Sequence, residues 1–463
     1  MQKKQLFLIG SLTFMILIIL SVVFYKERTC FMDISFHLFH ILKSGNFEIQ
    51  SYRFSAFFTQ MFPIIGSKMG APLTTITIAY SMSFVLLPFL SFTIILFILK
   101  NMRVAAMYLI YLLLMTTDTF YWIQSEMPQG VAFLFILIGM LDNMASQNVK
   151  YSFVHWLIIS ILIATVCFAH PLLSIPFAFL ILFYFITYPR KYLIILSIAG
   201  LYLLFYMIHS KYFVIPYDVK AIEQLTNFET LYPHYFTIQS SKNLYGYFLH
   251  DYYLAVIMLL VNIVFYVREK QFLKPLFMLV FFIGYSLIIN VCFPDGSPQF
   301  YLENQYLLLS IFVVIPFVID ILPRLKSIKT QYTLISAICL IGIIRIFANH
   351  GIYTERLQWN QHILSSTATS PHKKLVVPYN LAPNEILLMK WASAYEFWLL
   401  STLETGTSRS VVVEDHQDEF NWLFPSKKAL ITKWGAVDYS DLSNKKYFNF
   451  TDTSGYVKYS EVK

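Results

Sequence analysis

The sequence predicts an all-α polytopic membrane protein, about 11 transmembrane helices followed by a small C-terminal α/β domain. Three observations carry this. Of 463 residues, 57% are hydrophobic and 13% charged, about half the charge of an ordinary soluble chain. The apolar residues fall in runs long enough to cross a bilayer. The net charge of +8 lies wholly before Asn349, with 22 basic and 14 acidic residues ahead of it and 12 of each after it. A multidomain soluble enzyme is excluded. So is a nucleic-acid partner, because the basic residues occupy short gaps between apolar runs instead of one face interleaved with aromatics.

The runs lie near residues 5 to 25, 74 to 99, 104 to 121, 128 to 145, 151 to 169, 172 to 188, 191 to 209, 252 to 267, 275 to 293, 304 to 322 and 331 to 349. The first follows Lys3 and Lys4. It is too long for a signal-peptide core and no small-x-small cleavage site follows, so it reads as a retained anchor. With the N-terminus in the cytoplasm, the cytoplasmic gaps with their adjoining span ends and the N-terminal pair total 13 basic and 3 acidic residues. The opposite side before Asn349 has 8 basic and 11 acidic, with Arg345 inside the last span. The positive-inside rule then orients every span. A membrane domain (1–349) carries outer loops 26–73 and 210–251, and an extracytoplasmic domain covers 350–463. Richness in Phe, Ile, Tyr and Lys suits an AT-rich bacterium, so the expected location is the bacterial cytoplasmic (inner) membrane.

In the tail, KLVVP (374–378) and SVVVEDH (410–416) read as strands and LLMKWASAYEFWLLS (387–401) as a helix. About 110 residues can bury a core of their own. The acidic EDHQDE (414–419) reads as a solvated face. Cys30, Cys167, Cys292 and Cys339 have neither CxxC nor zinc-finger spacing, and pairing among the first three stays open.

A transporter needs ionisable groups near the bilayer midplane. Here Asp33, Glu48, Asp118, Glu126, Asp251, Asp295 and Glu303 gather at the outer span ends, which places the chemistry at that interface. In the first loop Asp33 leads an amphipathic helix with Ile34, Leu38, Ile41 and Leu42 on one side, expected to lie along the interface. The acidic residue soon after span one, the Leu42–Gly45 turn, Arg53 and the Pro63 helix resemble the first outer loop of the GT-C superfamily of integral membrane glycosyltransferases. The odd span number and the outer C-terminal domain resemble it too. Many members carry two adjacent acidic residues, whereas Asp33 is followed by Ile34.

The resemblance implies transfer of a sugar from a polyprenyl-phosphate donor to an unidentified acceptor on the outer face, in the presence of membrane lipid. Asp33 would be the catalytic base of an inverting displacement, or it is simply a helix N-cap. Arg53 and Arg345 would bind the donor phosphate. Arg345 is equally open to pairing with a carboxylate such as Asp295 or Glu303, or to snorkelling. Glu126, His170, Tyr301 and Glu303 are candidates for acceptor or substrate binding. Against these stand a solvated turn for Glu126, a satisfied interfacial histidine for His170 and an aromatic belt for Tyr301. Asp33, His37 and His40 share a helix face open to a divalent metal, but no clear ligand set completes one, and no cofactor is assigned. Rival readings are a lipid or polymer flippase and a non-catalytic GT-C-like partner-binding subunit.

Overall fold

The computed structural model describes residues 2–123, 126–146, 149, 152–414, 424–432 and 435–461. It is mostly helical. Helix α1 (Lys3–Val23) is apolar all round. Its Leu6, Gly10, Phe14, Leu17 and Leu20 face is buried while Leu8, Leu12, Met15 and Ile19 are exposed, as expected of a helix with lipid on one side and protein on the other. Short α2 (Tyr25–Thr29) and α3 (Met32–Ser44) follow, then α4 (Phe57–Lys68), which contains Pro63, and α5 (Leu73–Thr93) with a π turn to Ile98. The chain continues through α6 (Met102–Leu114), α7 (Glu126–Ser146), α8 (Phe153–Ala169), α9 (Ser174–Thr187) and α10 (Tyr192–Tyr212).

The second long loop holds α11 (Pro216–Glu223), α12 (Asn227–Thr230) and α13 (Gln239–His250). The last bends by 84° into α14 (Tyr253–Arg268). Helices α15 (Leu273–Cys292), α16 (Gln299–Tyr306), α17 (Leu309–Pro316), α18 (Ile328–Ala348) and α19 (Gly351–Ser366) complete the bundle. Among the described residues seven helices are long and apolar enough to span a membrane, or eight if the bent pair counts as one. The other three expected spans correspond to shorter apolar helices, Met102–Leu114, Phe153–Ala169 and Pro171–Thr187, so length alone does not give the count of eleven.

The third expected span, 104 to 121, is the clearest departure. Its helix stops at Leu114, and a separate short turn covers Asp118–Phe120. Both halves of the break are satisfied from afar. Glu303 accepts the main-chain N–H groups of Thr117 at 2.7 Å and Thr119 at 2.9 Å, and both threonine hydroxyls. Arg345 donates to the carbonyls of Leu113 at 3.1 Å and Thr116 at 3.4 Å, and to that of Asp251 at 2.5 Å. These are the orphan groups that a helix end inside a membrane must pair. One turn before Arg345, a Cβ on Gly342 would lie 2.6 Å from the Leu113 carbonyl oxygen, so only glycine lets α18 approach α6 closely enough.

At the other end of the bundle Asp142 accepts from Arg103, Asn101 and Tyr184, and Asp320 from Lys274 and Tyr266. Each of these four charges has a partner, as an apolar solvent requires.

The C-terminal region is a small α/β unit. Strands β1 (Lys374–Pro378), β2 (Ser410–Glu414) and β5 (Val457–Lys458) form a parallel sheet in the order β2-β1-β5, and β3 (Leu430–Thr432) pairs antiparallel with β4 (Gly435–Val437). Helices α20 (Asn384–Leu387) and α21 (Ser393–Thr405) complete it. The expected strands are present as far as Glu414, but the expected helix 387–401 starts only at Ser393, because the chain turns at Leu388 (φ +58°) between α20 and α21; residues 415–419 of the acidic run lie outside the described residues. Helix α3 is not laid on a surface. It packs against both α4 and α21, with Phe39 edge-on to Trp398 at 4.9 Å between ring centres. The four cysteines are free thiols.

Candidate active site

Where the α/β region meets the bundle lies an open cavity of about 620 Å³, within the range of small-molecule sites. Asp33, Arg53, Glu126, His170 and Tyr301 all line it. They come from five separate stretches of chain. Glu303 and Arg345 do not line it and are engaged at the α6 break instead.

Asp33 is the second residue of α3, and Phe31 is the N-cap without a side-chain cap bond. The simple N-cap reading therefore fails, although a carboxylate in the first turn still suits the helix dipole. Its Oδ2 accepts from Trp122 Nε1 at 3.0 Å. Burial pushes the carboxyl up to about 6, the Trp122 bond opposes that, and nearby Glu126 adds to it. The N–H of Met32 donates to Glu396 Oε1 of α21 at 2.9 Å. Met32 has φ +41°, a conformation that strains a residue with a side chain. The C-terminal region thus fixes the backbone immediately before the carboxylate.

Arg53 joins two acids. Its NH1 is 3.4 Å from Glu126 Oε2 and its NH2 3.4 Å from Asp218 Oδ1. Glu126 opens α7, so it too sits in a first helical turn. Asp218 comes from α11 in the second long loop. His170, between α8 and α9, uses Nδ1 to accept from the Leu172 N–H at 3.2 Å. Burial, with Arg53 adding to it, holds the ring well below its ordinary value. A neutral ring accepting at Nδ1 carries its proton on Nε2. Tyr301 packs over Trp122, ring centres 5.5 Å apart.

His37 also lines the cavity, 3% exposed, and its Nδ1 has no hydrogen-bond partner. Burial lowers His37 and His40 to about 4. Among the described residues no three His, Cys, Asp or Glu side chains are close enough to hold a metal ion. Trp391, Tyr395 and the β3–β4 pair supply the wall from the α/β side. Local sequence gave no sign of Trp122, Asp218, Trp391 or Tyr395, since aromatics at span ends read as an interfacial belt and an acid in a long loop reads as solvated. Such a site offers a carboxylate near neutrality, a cation between acids and a neutral imidazole donor.

Comparison with protein families, with curated proteins and with solved structures finds no match. What the helices establish is coarser than the resemblance. The chain is a multi-span helical membrane protein.

Proposed function

We propose that the protein is a membrane glycosyltransferase of GT-C type, moving a sugar from a polyprenyl-phosphate donor to an acceptor on the outer face of the bacterial cytoplasmic membrane. The observation that carries this reading is the convergence of Asp33, Arg53, Glu126 and His170 on one cavity at the membrane-domain end that bears the α/β region. Nucleotide sugars are cytosolic, so an enzyme facing outward needs a donor flipped on a lipid. Asp33, with a pKa near the working pH, is suited to taking the acceptor's proton. Arg53 is suited to the departing phosphate, and His170 to an acceptor or phosphate oxygen. The resemblance supplies the donor class.

The direct test incubates membranes holding the parent or Asp33→Asn with radiolabelled polyprenyl-phosphate hexoses. Label leaving the lipid only with the parent supports the reading; no transfer from any donor by folded parent overturns it.

The acid limb of the pH profile tests the base separately. Transfer should fall as pH drops through about 6, reaching about a tenth of its plateau at pH 5, where about a tenth of Asp33 is ionised. Trp122→Phe removes the bond that favours the carboxylate and should move this limb to higher pH. A profile flat between pH 5 and 7.5 removes Asp33 from the proton transfer.

Orientation is checked by single cysteines in a cysteine-free background. An impermeant reagent on intact cells should label position 445 and spare position 327, as the loop charges require. The reverse pattern would put the cavity on the cytoplasmic side and remove the need for a flipped donor.

A further inference from the structure

A second cleft lies on the other side of Trp122, among α1, α5, α6 and α7. Its walls are apolar, including Phe14, Leu17, Phe84, Val85, Leu87 and Leu112. Its volume is about 110 Å³, several times what one water needs but narrow. At its head is Arg28 of α2, 1% exposed.

That guanidinium is poorly satisfied. NH2 donates to the Ser81 carbonyl at 2.9 Å, and the Phe120 ring lies 4.1 Å from the guanidinium carbon. Nε and NH1 have no hydrogen-bond partner. Among the described residues no carboxylate forms an ion pair with Arg28, and neighbouring Glu27 bonds Thr354 instead. Burial lowers the guanidinium to about 9, which still leaves it a cation at neutral pH. A buried cation with unused N–H groups is strongly destabilising unless an anion meets it.

The cleft runs inward from this cation. Arg28 bonds at the level of Ser81, whereas Phe14, Leu87 and Pro88 line the cleft deeper along α1 and α5. Phe84 and Leu112 are partly exposed at its side. A charged head beside a narrow apolar channel matches an amphiphile with a small anionic head and one thin chain. We propose that this cleft binds a single-chain lipid phosphate, its phosphate on Arg28 and its chain between α1, α5 and α6. Thr116, also in the lining, adds a hydroxyl to these walls, whereas the Thr119 hydroxyl is already donated to Glu303. The site is separate from the Asp33 cavity and does not depend on the transfer reaction.

The test titrates purified full-length protein in neutral detergent with dodecyl phosphate and, in parallel, inorganic phosphate. Dodecyl phosphate should bind at least about tenfold more tightly than inorganic phosphate. Arg28→Met should lose at least about tenfold in affinity, the scale of a charge-assisted contact. Its own unfolding temperature without ligand should match or exceed the parent's, since it removes an unpaired buried charge. Val85→Phe keeps the cation, blocks the chain, and should weaken dodecyl phosphate while leaving inorganic phosphate unchanged. Equal affinity for the two phosphates overturns the lipid, leaving a free-anion site. Undiminished dodecyl phosphate binding by both variants, or none by the parent, overturns the site and leaves Arg28 as a structural partner of Phe120.

Discussion

Replacing Asp33 with Asn should abolish sugar transfer and leave the protein folded. A positioned general base contributes about 10² to 10⁴ in rate, and Asn has nothing with which to take the proton. It keeps the size of Asp and an oxygen able to accept from Trp122. Stability should not suffer. A carboxyl raised from the ordinary aspartate range to about 6 on folding favours the folded state least when ionised. Its unfavourable contribution is absent below about pH 4, grows through the window from about 4 to 6 and is complete above that. At pH 7.5 the variant should therefore unfold at the same temperature as the parent or higher. Transfer within about threefold of the parent would reduce Asp33 to an acceptor for Trp122.

The second large effect should come from a pair that does not touch the cavity. Arg356 NH2 lies 2.8 Å from both Glu396 carboxylate oxygens, and its Nε 3.2 Å from Oε2; both residues are almost fully buried. Removing one member leaves the other charged and unpaired, which costs about 3 to 5 kcal/mol. Glu396→Ala also deprives the Met32 N–H of its acceptor, so the backbone in front of Asp33 is released. The expected result is a markedly lower unfolding temperature in detergent and loss of transfer together. Replacing both residues with Met should be less damaging than either single change, because no charge is stranded. If the double variant is as unstable as the sum of the singles, the pair does not act as a unit.

The spans were legible because an apolar run leaves its mark in consecutive residues. The α/β tail was legible from KLVVP and SVVVE for the same reason. The break after Leu114 was not. Thr116, Thr117, Asp118 and Thr119 read locally as the polar edge of a span, and the groups that satisfy the broken backbone, Glu303 and Arg345, lie far along the chain. Read locally, Glu303 and Arg345 are polar residues near a membrane edge and so look like site residues. The structure instead has Thr117 and Thr119 around one, and main-chain carbonyls around the other. Asp33, Glu126, His170 and Tyr301 are legible because each is a reactive or aromatic residue near a span end, and Arg53 through the first-loop resemblance. That they share a cavity depends on tertiary packing. From sequence Arg28 is only one of the outer basic residues, since nothing in YKERT says that its neighbours will be Phe120 and apolar walls.

The hydrogen bond from Met32 to Glu396 also sets an order of events in biosynthesis. The two residues are 364 positions apart. At about 5 to 20 residues per second, the ribosome needs roughly 20 to 70 seconds to reach the second after making the first. Throughout that interval the α3 segment has been made without the acceptor that holds its first residue. The catalytic wall proposed here is therefore one of the last parts of the protein to be completed, and a chain interrupted before Glu396 would carry its membrane helices but no finished site.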